Sequence, residues 1–412
     1  MALAIRKACA ALALGIVLAA GSPAAALSFN LIDTGGAGVG SQARAGFDAA
    51  ASFWSSVLTN DVTVNLDIGF QSLGAGILGS TSSNRAIISM SQGYHALAAT
   101  QTSTLDALAV AGLQPLSAST VAVPGGTGAV VATANALNAG GNGYVDGATR
   151  IDNDGGINNS TLAMSRANAK ALGLTVDALG TPIASGAIDG SITFSSGFAF
   201  DFNPVDGVDP IAYDFIGVAI HEIGHALGFL SGVDSYDART SPNGPGSGSL
   251  EDLVTMGTLD LFRYSAPGVL DWSTSDAPKF FSLDGGQTQL FGNAPFSLGA
   301  YNGDTHQASH WLESAAGQPQ LGILDPTSGL GQVQRDQRAR SRCARCDRLE
   351  RGFQRARRSR LSRLDRAAGG AGGRRARAGE LGADDPRLRR GRLRDAATPG
   401  RGAGARLSVS LA

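Results

Sequence analysis

The chain is short of cysteine. Cys9 lies in the leading apolar segment and Cys343 and Cys346 lie near the far end, so residues 27–334 contain none. Disulfides therefore do not hold that body together, and the size of its core, aided by any bound metal, has to serve instead. Long apolar runs are also missing. The stretch from Cys9 to Ala20 is too short for a spanning helix, and no other segment approaches that length. There are no internal repeats. With 43% hydrophobic and 16% charged residues, a polytopic membrane protein and a wholly disordered chain are both excluded.

What is present divides into two unequal parts. The first 334 residues carry ten Lys+Arg against 26 Asp+Glu, a net charge of −16. The last 78 carry 23 arginines, no lysine and eight acids, a net charge of +15. The near-zero total hides this asymmetry. An acidic body argues against nucleic acid as a partner. At the start, Arg6 and Lys7, the Cys9–Ala20 apolar stretch and Ala24-Ala25-Ala26 form a secretory signal pattern over residues 1–26, with cleavage expected after Ala26. The expected location is extracellular, with no membrane span in the mature chain.

Periodicity places the elements. Ala43, Phe47, Ala50, Ala51, Trp54 and Leu58 recur at helical spacing within Val39–Leu58. Val62–Ile68 alternates as a strand. Helices are expected around Leu105–Ala111 and Leu162–Leu172, a strand over Gly190–Phe202, and an apolar helix over Ala212–Leu230. Residues 231–334 read as loop-rich, with a turn at Leu283-Asp284-Gly285-Gly286. Asp152-Asn153-Asp154-Gly155 offers oxygen ligands for calcium, but the later ligands of a calcium loop are missing, which favours a polar turn.

One motif carries chemistry. His221-Glu222-Ile223-Gly224-His225 lies inside the last apolar helix. Residues four apart share a helix face, so both imidazoles can address one ion. Glu222, one step round, can reach a water on that ion and act as general base. The chain has five His and five Glu, so chance placement of this pattern is on the order of one in a thousand. Gly228 follows three residues after His225. In the extended motif such a glycine turns the chain toward a third ligand three residues on. That position is Ser231, a poor zinc ligand; Asp234 lies just beyond, and His95, His306 and His310 remain.

The set HEIGHALGF, then Ser309-His310-Trp311, then Gly322-Ile323-Leu324-Asp325-Pro326 resembles the leishmanolysin-like metzincins, closest to a bacterial secreted group. The resemblance spans about residues 190–326. It implies an insertion before the third zinc ligand and makes His310 that ligand, with Asp234 as the alternative. Leu324 stands where the family carries the methionine of its Met-turn. His306 is then expected at the surface, and His95 to be structural or solvated. The resemblance also implies that the strand before the site helix, Gly190–Phe202, pairs with extended substrate. Tyr236, Tyr264 and Tyr301 are the tyrosines on hand to support an oxyanion, and nothing chooses among them.

From Arg335 the apolar periodicity vanishes, and the tail is expected to be disordered. Cys343 and Cys346 alone are half a metal site. Codons compatible with Cys343–Glu350, read one base later, allow ALDAIGWN, and upstream GTSARDLA. The same shift from Ala376 allows PEPASWA and MILGFG, and over Arg394–Thr398 it allows GMRRR. The first resembles the closing helix of such proteases and the rest a bacterial surface-sorting signal. The tail thus reads as frame-shifted near Gln334–Arg335, with the sorting signal lost.

The expected fold is α+β and metzincin-like: a twisted mixed sheet, an active-site helix and a loop-rich C-terminal subdomain. The expected domains are a signal peptide (1–26), a catalytic body (27–334, divided near 230) and the tail (335–412). The expected activity is hydrolysis of protein or peptide substrates by a zinc endopeptidase. Two alternatives stay open: an exported surface or adhesion protein with a structural metal site, and a basic-tail binding module resting wholly on 335–412.

Overall fold

The computed structural model describes residues 27–116, 131–134, 149–152, 156–203, 206–239, 254–274, 277–315, 320–334 and 405–410. The signal pattern, Asn153–Gly155, the Cys343/Cys346 pair and the frame-shifted segments lie outside these residues. The fold is mixed α+β, and among the described residues no helix is long and apolar enough to cross a membrane.

The chain opens with β1 (Ser28–Gly35), α1 (Gln42–Val57) and β2 (Thr63–Gln71). β1 and β2 pair in parallel, which requires a crossover, and α1 supplies it. Ser41 caps α1 by accepting from the Arg44 N–H. Ala43, Phe47, Ala50 and Ala51 form its buried stripe.

Next come β3 (Ile77–Ser83), β4 (Arg85–Ser89), α2 (Met90–Thr100), α3 (Thr104–Gly112), β5 (Val131–Ala134), β6 (Thr149–Asp152) and α4 (Ile157–Ser160). The expected helix over 162–172 is half strand. β7 (Thr161–Ser165) pairs antiparallel with β4, and only α5 (Arg166–Ala171) is helical. Leu162 to Ser165 are all buried, so pairing with β4 overrides local helical spacing. Ser165 ends the strand and caps α5 through the Asn168 N–H.

β8 (Gly190–Ser195), β9 (Phe200–Asp201), β10 (Tyr213–Asp214) and α6 (Phe215–Leu227) follow. α6 is shorter than Ala212–Leu230 because Asp214 caps it and Gly228, at φ 122°, ends it. Twelve of its 13 residues are buried. They pack on α1 and on the sheet, in a core that includes Phe47, Phe194 and Phe215. Fully burying one such phenylalanine stabilises by about 1.5–3 kcal/mol.

The lower part holds α7 (Val233–Arg239), a 3-10 turn at Thr258–Phe262, β11 (Arg263–Ala266), β12 (Val269–Leu270), β13 (Lys279–Phe281), β14 (Pro295–Phe296) and β15 (Thr327–Ser328). β16 (Ala405–Ser410) comes from the tail. A strand there corrects the expectation of disorder for these six residues. The main sheet has the order β1-β2-β8-β3-β16-β15. β8 is parallel to β2 and antiparallel to β3. Both its edges are thus taken, and it offers none to a substrate, contrary to expectation. The strand beside α6 at the body's margin is β3, and β16 lies parallel along it.

Candidate metal centre

α6 places two imidazoles on one face, and a long loop brings the third. The Nε2 atoms of His221 and His225 lie 2.8 Å apart, and each is 3.2 Å from His310 Nε2. The three residues form a buried group able to hold a metal ion. His306 is half-buried and His95 exposed, and neither joins it.

The other ring nitrogen fixes each tautomer. His221 Nδ1 donates to the Ile323 carbonyl (2.7 Å), His225 Nδ1 to Phe229 (2.8 Å) and His310 Nδ1 to Gln307 (3.2 Å). A carbonyl only accepts, so Nδ1 carries the proton and Nε2 a lone pair. Burial holds the His225 pKa down at about 4, and burial with mutual repulsion keeps His221 and His310 well below the usual range. Three neutral rings thus aim lone pairs at one point, an arrangement that a cation stabilises. Tetrahedral ligands about 2.0–2.1 Å from zinc lie roughly 3.3 Å from one another. The observed spacing meets this after a slight opening of the His221–His225 pair.

The chain's turns set this geometry. Gly228 turns the backbone, so that Phe229 N–H returns to the Gly224 carbonyl and the Phe229 carbonyl meets His225. The Gly322–Pro326 turn does two things. Ile323 orients His221, and the Leu324 methyls lie 3.3 Å from where a Cβ on Gly224 would stand. Trp54 Nε1 donates to the Ile220 carbonyl, pinning α6 to α1.

Asp234, the alternative third ligand, has another task. Its carboxylate accepts from the Ala308 N–H (2.5 Å), the Ser309 N–H (3.1 Å) and the Ser309 hydroxyl. It therefore clamps the loop that carries His310. Burial pushes its pKa up to about 7, against those hydrogen bonds and the Arg263 charge. Ser231, at the spacing of a third ligand, donates instead to Asp260 Oδ1 (2.6 Å).

Glu222 is fully buried between α6 and β3. Its Oε2 accepts from the Thr81 hydroxyl at 2.6 Å, while Oε1 has no hydrogen-bond partner among the described residues. A Cβ on Gly79 would stand 3.1 Å from Oε1, so glycine leaves room there. Burial raises the carboxyl pKa to about 8, partly offset by the Thr81 bond. An unpaired buried acceptor costs about 1–3 kcal/mol, and a water beside a bound ion would satisfy it. Three imidazole donors suit a transition-metal ion such as zinc, copper, iron or nickel.

Of the tyrosines, Tyr264 donates to the Gly112 carbonyl, Tyr236 lies in the lower core and Tyr301 is exposed. Sequence reasoning missed Thr81, because nothing marks one hydroxyl in Gly-Ser-Thr-Ser-Ser as special. It also missed the three carbonyls, which no side-chain pattern encodes.

No family model, no curated protein and no solved structure matches the chain.

Proposed function

We propose that the chain is an exported zinc-dependent endopeptidase of metzincin type. The observation that carries this reading is Glu222, a buried carboxylate with one tethered and one unpartnered oxygen, next to three converging imidazole nitrogens. A structural zinc needs the nitrogens but no base beside them. Bound there, zinc supplies Lewis acidity and an attacking water of lowered pKa. His221, His225 and His310 would hold it. Glu222 Oε1 takes the proton from the attacking water and returns it to the leaving amine. The backbone carbonyls behind the histidines keep Nε2 free for this task.

One observation favours a structural metal clip instead. His221, Glu222 and His225 are 0% exposed and His310 1%, so a peptide reaches them only after the site opens. The experiment is elemental analysis of the mature chain (27–412), followed by casein cleavage with Glu222→Ala as control. About one zinc per chain and cleavage that Glu222→Ala abolishes support the protease. One zinc without cleavage supports the clip. A chain without zinc is tested again with the frame restored from Gln334. Zinc that returns only then assigns the loss to the tail, and zinc absent from both overturns the ligand set.

A further inference from the structure

Strand side chains alternate, so Gly79, Thr81 and Ser83 share one face of β3. All three are buried, whereas Ser80 and Ser82 are half-buried. That face lies on α6. Gly79 adjoins Glu222 Oε1, Thr81 Oγ1 reaches Glu222 Oε2, and Ser83 Oγ donates to the His225 carbonyl at 3.5 Å. Gly79 and Thr81 thus flank the Glu222 carboxyl, and Ser83 meets the next turn of the site helix. Small side chains let the two backbones approach closely.

We propose that Thr81 is a positioning residue for Glu222: its hydroxyl ties down Oε2 and so commits Oε1 to the role of base. This rests on the protease reading. A hydroxyl has one proton. Glu222 offers Thr81 two acceptors, its own carbonyl at 3.3 Å and Oε2 at 2.6 Å. The contact to Oε2 is the shorter of the two and lies within the normal range of an O–H···O bond, so the proton goes there. The γ-methyl restricts χ1, so the hydroxyl is aimed before substrate arrives. Packing alone would not require oxygen here, because valine has the same shape and an equal preference for strands. A carboxylate held by one oxygen cannot rotate away, and misplacing a catalytic group by about 1 Å can cost roughly 100-fold in rate.

The test uses the zinc-loaded mature chain with Thr81→Val and Thr81→Ser, in Glu222 and Glu222→Gln backgrounds. Thr81→Ala is the second variant if valine prevents folding. Three quantities are read: kcat and KM on a casein-derived peptide, zinc content, and the Glu222 carboxyl infrared band, identified by difference from Glu222→Gln. Thr81→Val is expected to lower kcat by roughly 10- to 100-fold with KM and zinc content unchanged. Thr81→Ser is expected to recover most of the rate. The carboxyl band should move in Thr81→Val and hold in Thr81→Ser. In the Glu222→Gln background Thr81→Val should cost nothing more. An unmoved band means the hydroxyl does not hold the carboxylate, whatever the activity. A moved band with unchanged kcat removes the positioning role alone. A parent that binds zinc and cleaves nothing removes the protease reading itself, and the role with it.

Discussion

The two halves of the body hold their contributions to the site by different physics. The upper half centres on the main sheet, α1 and α6, which enclose an aromatic core in which Phe47, Phe194, Phe200, Phe202 and Phe215 meet ring to ring. It places His221, Glu222 and His225 on one buried helix. The lower half has little regular structure. Its loops are held by buried charge: Asp234 on 308–309, Asp237 on 301–302, Asp260 on 232 and 257, and Arg263 on the carbonyls of Ser297 and Ala308. Regular structure positions a ligand through many weak contacts, whereas a loop ligand such as His310 depends on a few strong ones. Damage to the lower half should therefore release metal, and damage to the upper half should lower stability while sparing it.

Arg263→Met tests this most severely. Arg263 is 1% exposed, and Asp234, Asp260, Asp271 and Asp304 all act on its charge. Removing it leaves buried carboxylates uncompensated, at an expected cost of about 3–5 kcal/mol. Zinc should be lost although Arg263 contacts no histidine. Urea unfolding and elemental analysis measure the two effects, and a variant that keeps its zinc would break the comparison.

The halves should also titrate in opposite directions. In the metal-free protein His225 is held neutral at a pKa of about 4, below the usual 6.5. Its contribution is present above pH 6.5 and is lost as pH falls toward 4, about 3 kcal/mol in all. Asp234 is raised from 3.8 to about 7. Its contribution is present below pH 4 and is lost as pH rises through 7, roughly 4 kcal/mol. Relative to the parent, metal-free His225→Leu should therefore gain stability as pH falls from 6.5 to 4. Asp234→Asn should gain it as pH rises from 4 to 7. Parallel slopes in urea titrations across this range would remove the distinction.

This difference also governs what the sequence disclosed. The helix ligands were legible because a spacing of four residues and a helical face are both local. The Ser309-His310-Trp311 and Gly322–Pro326 segments were legible only through family resemblance. The structure supplies the physical reason for the second, since Ile323 and Leu324 back onto α6. Asp234 was noticed for its carboxylate only as an alternative ligand, because the choice between ligand and clamp depends on which loop lies opposite. The place of β8 inside the sheet depends on β3 returning antiparallel, which alternation within either strand cannot show.

Gly46→Ala tests the upper half more gently. A Cβ there would lie 2.2–2.4 Å from the Phe215 ring. That ring is wedged against Phe47, Phe194 and Phe202 and cannot retreat freely. Overpacking of this kind costs about 1–3 kcal/mol. Zinc content should stay at the parent's level, since neither the loop clamps nor the histidine carbonyls are touched.

The smallest expected change in stability follows deletion of 405–412. β16 pairs with β3 on one side, with Val409 opposite Thr81 and Leu407 opposite Gly79, and with the two-residue β15 on the other. A β3 freed of it would present its edge beside Glu222, and an edge strand invites pairing by another extended chain. Deletion should therefore speed amide exchange over Ile77–Ser83 and raise casein cleavage, while the unfolding midpoint moves little. Unchanged exchange would show that β16 does not cover this edge in solution. Faster exchange without more cleavage would place the barrier to substrate elsewhere, in the lower-half loops whose buried charges already fix His310.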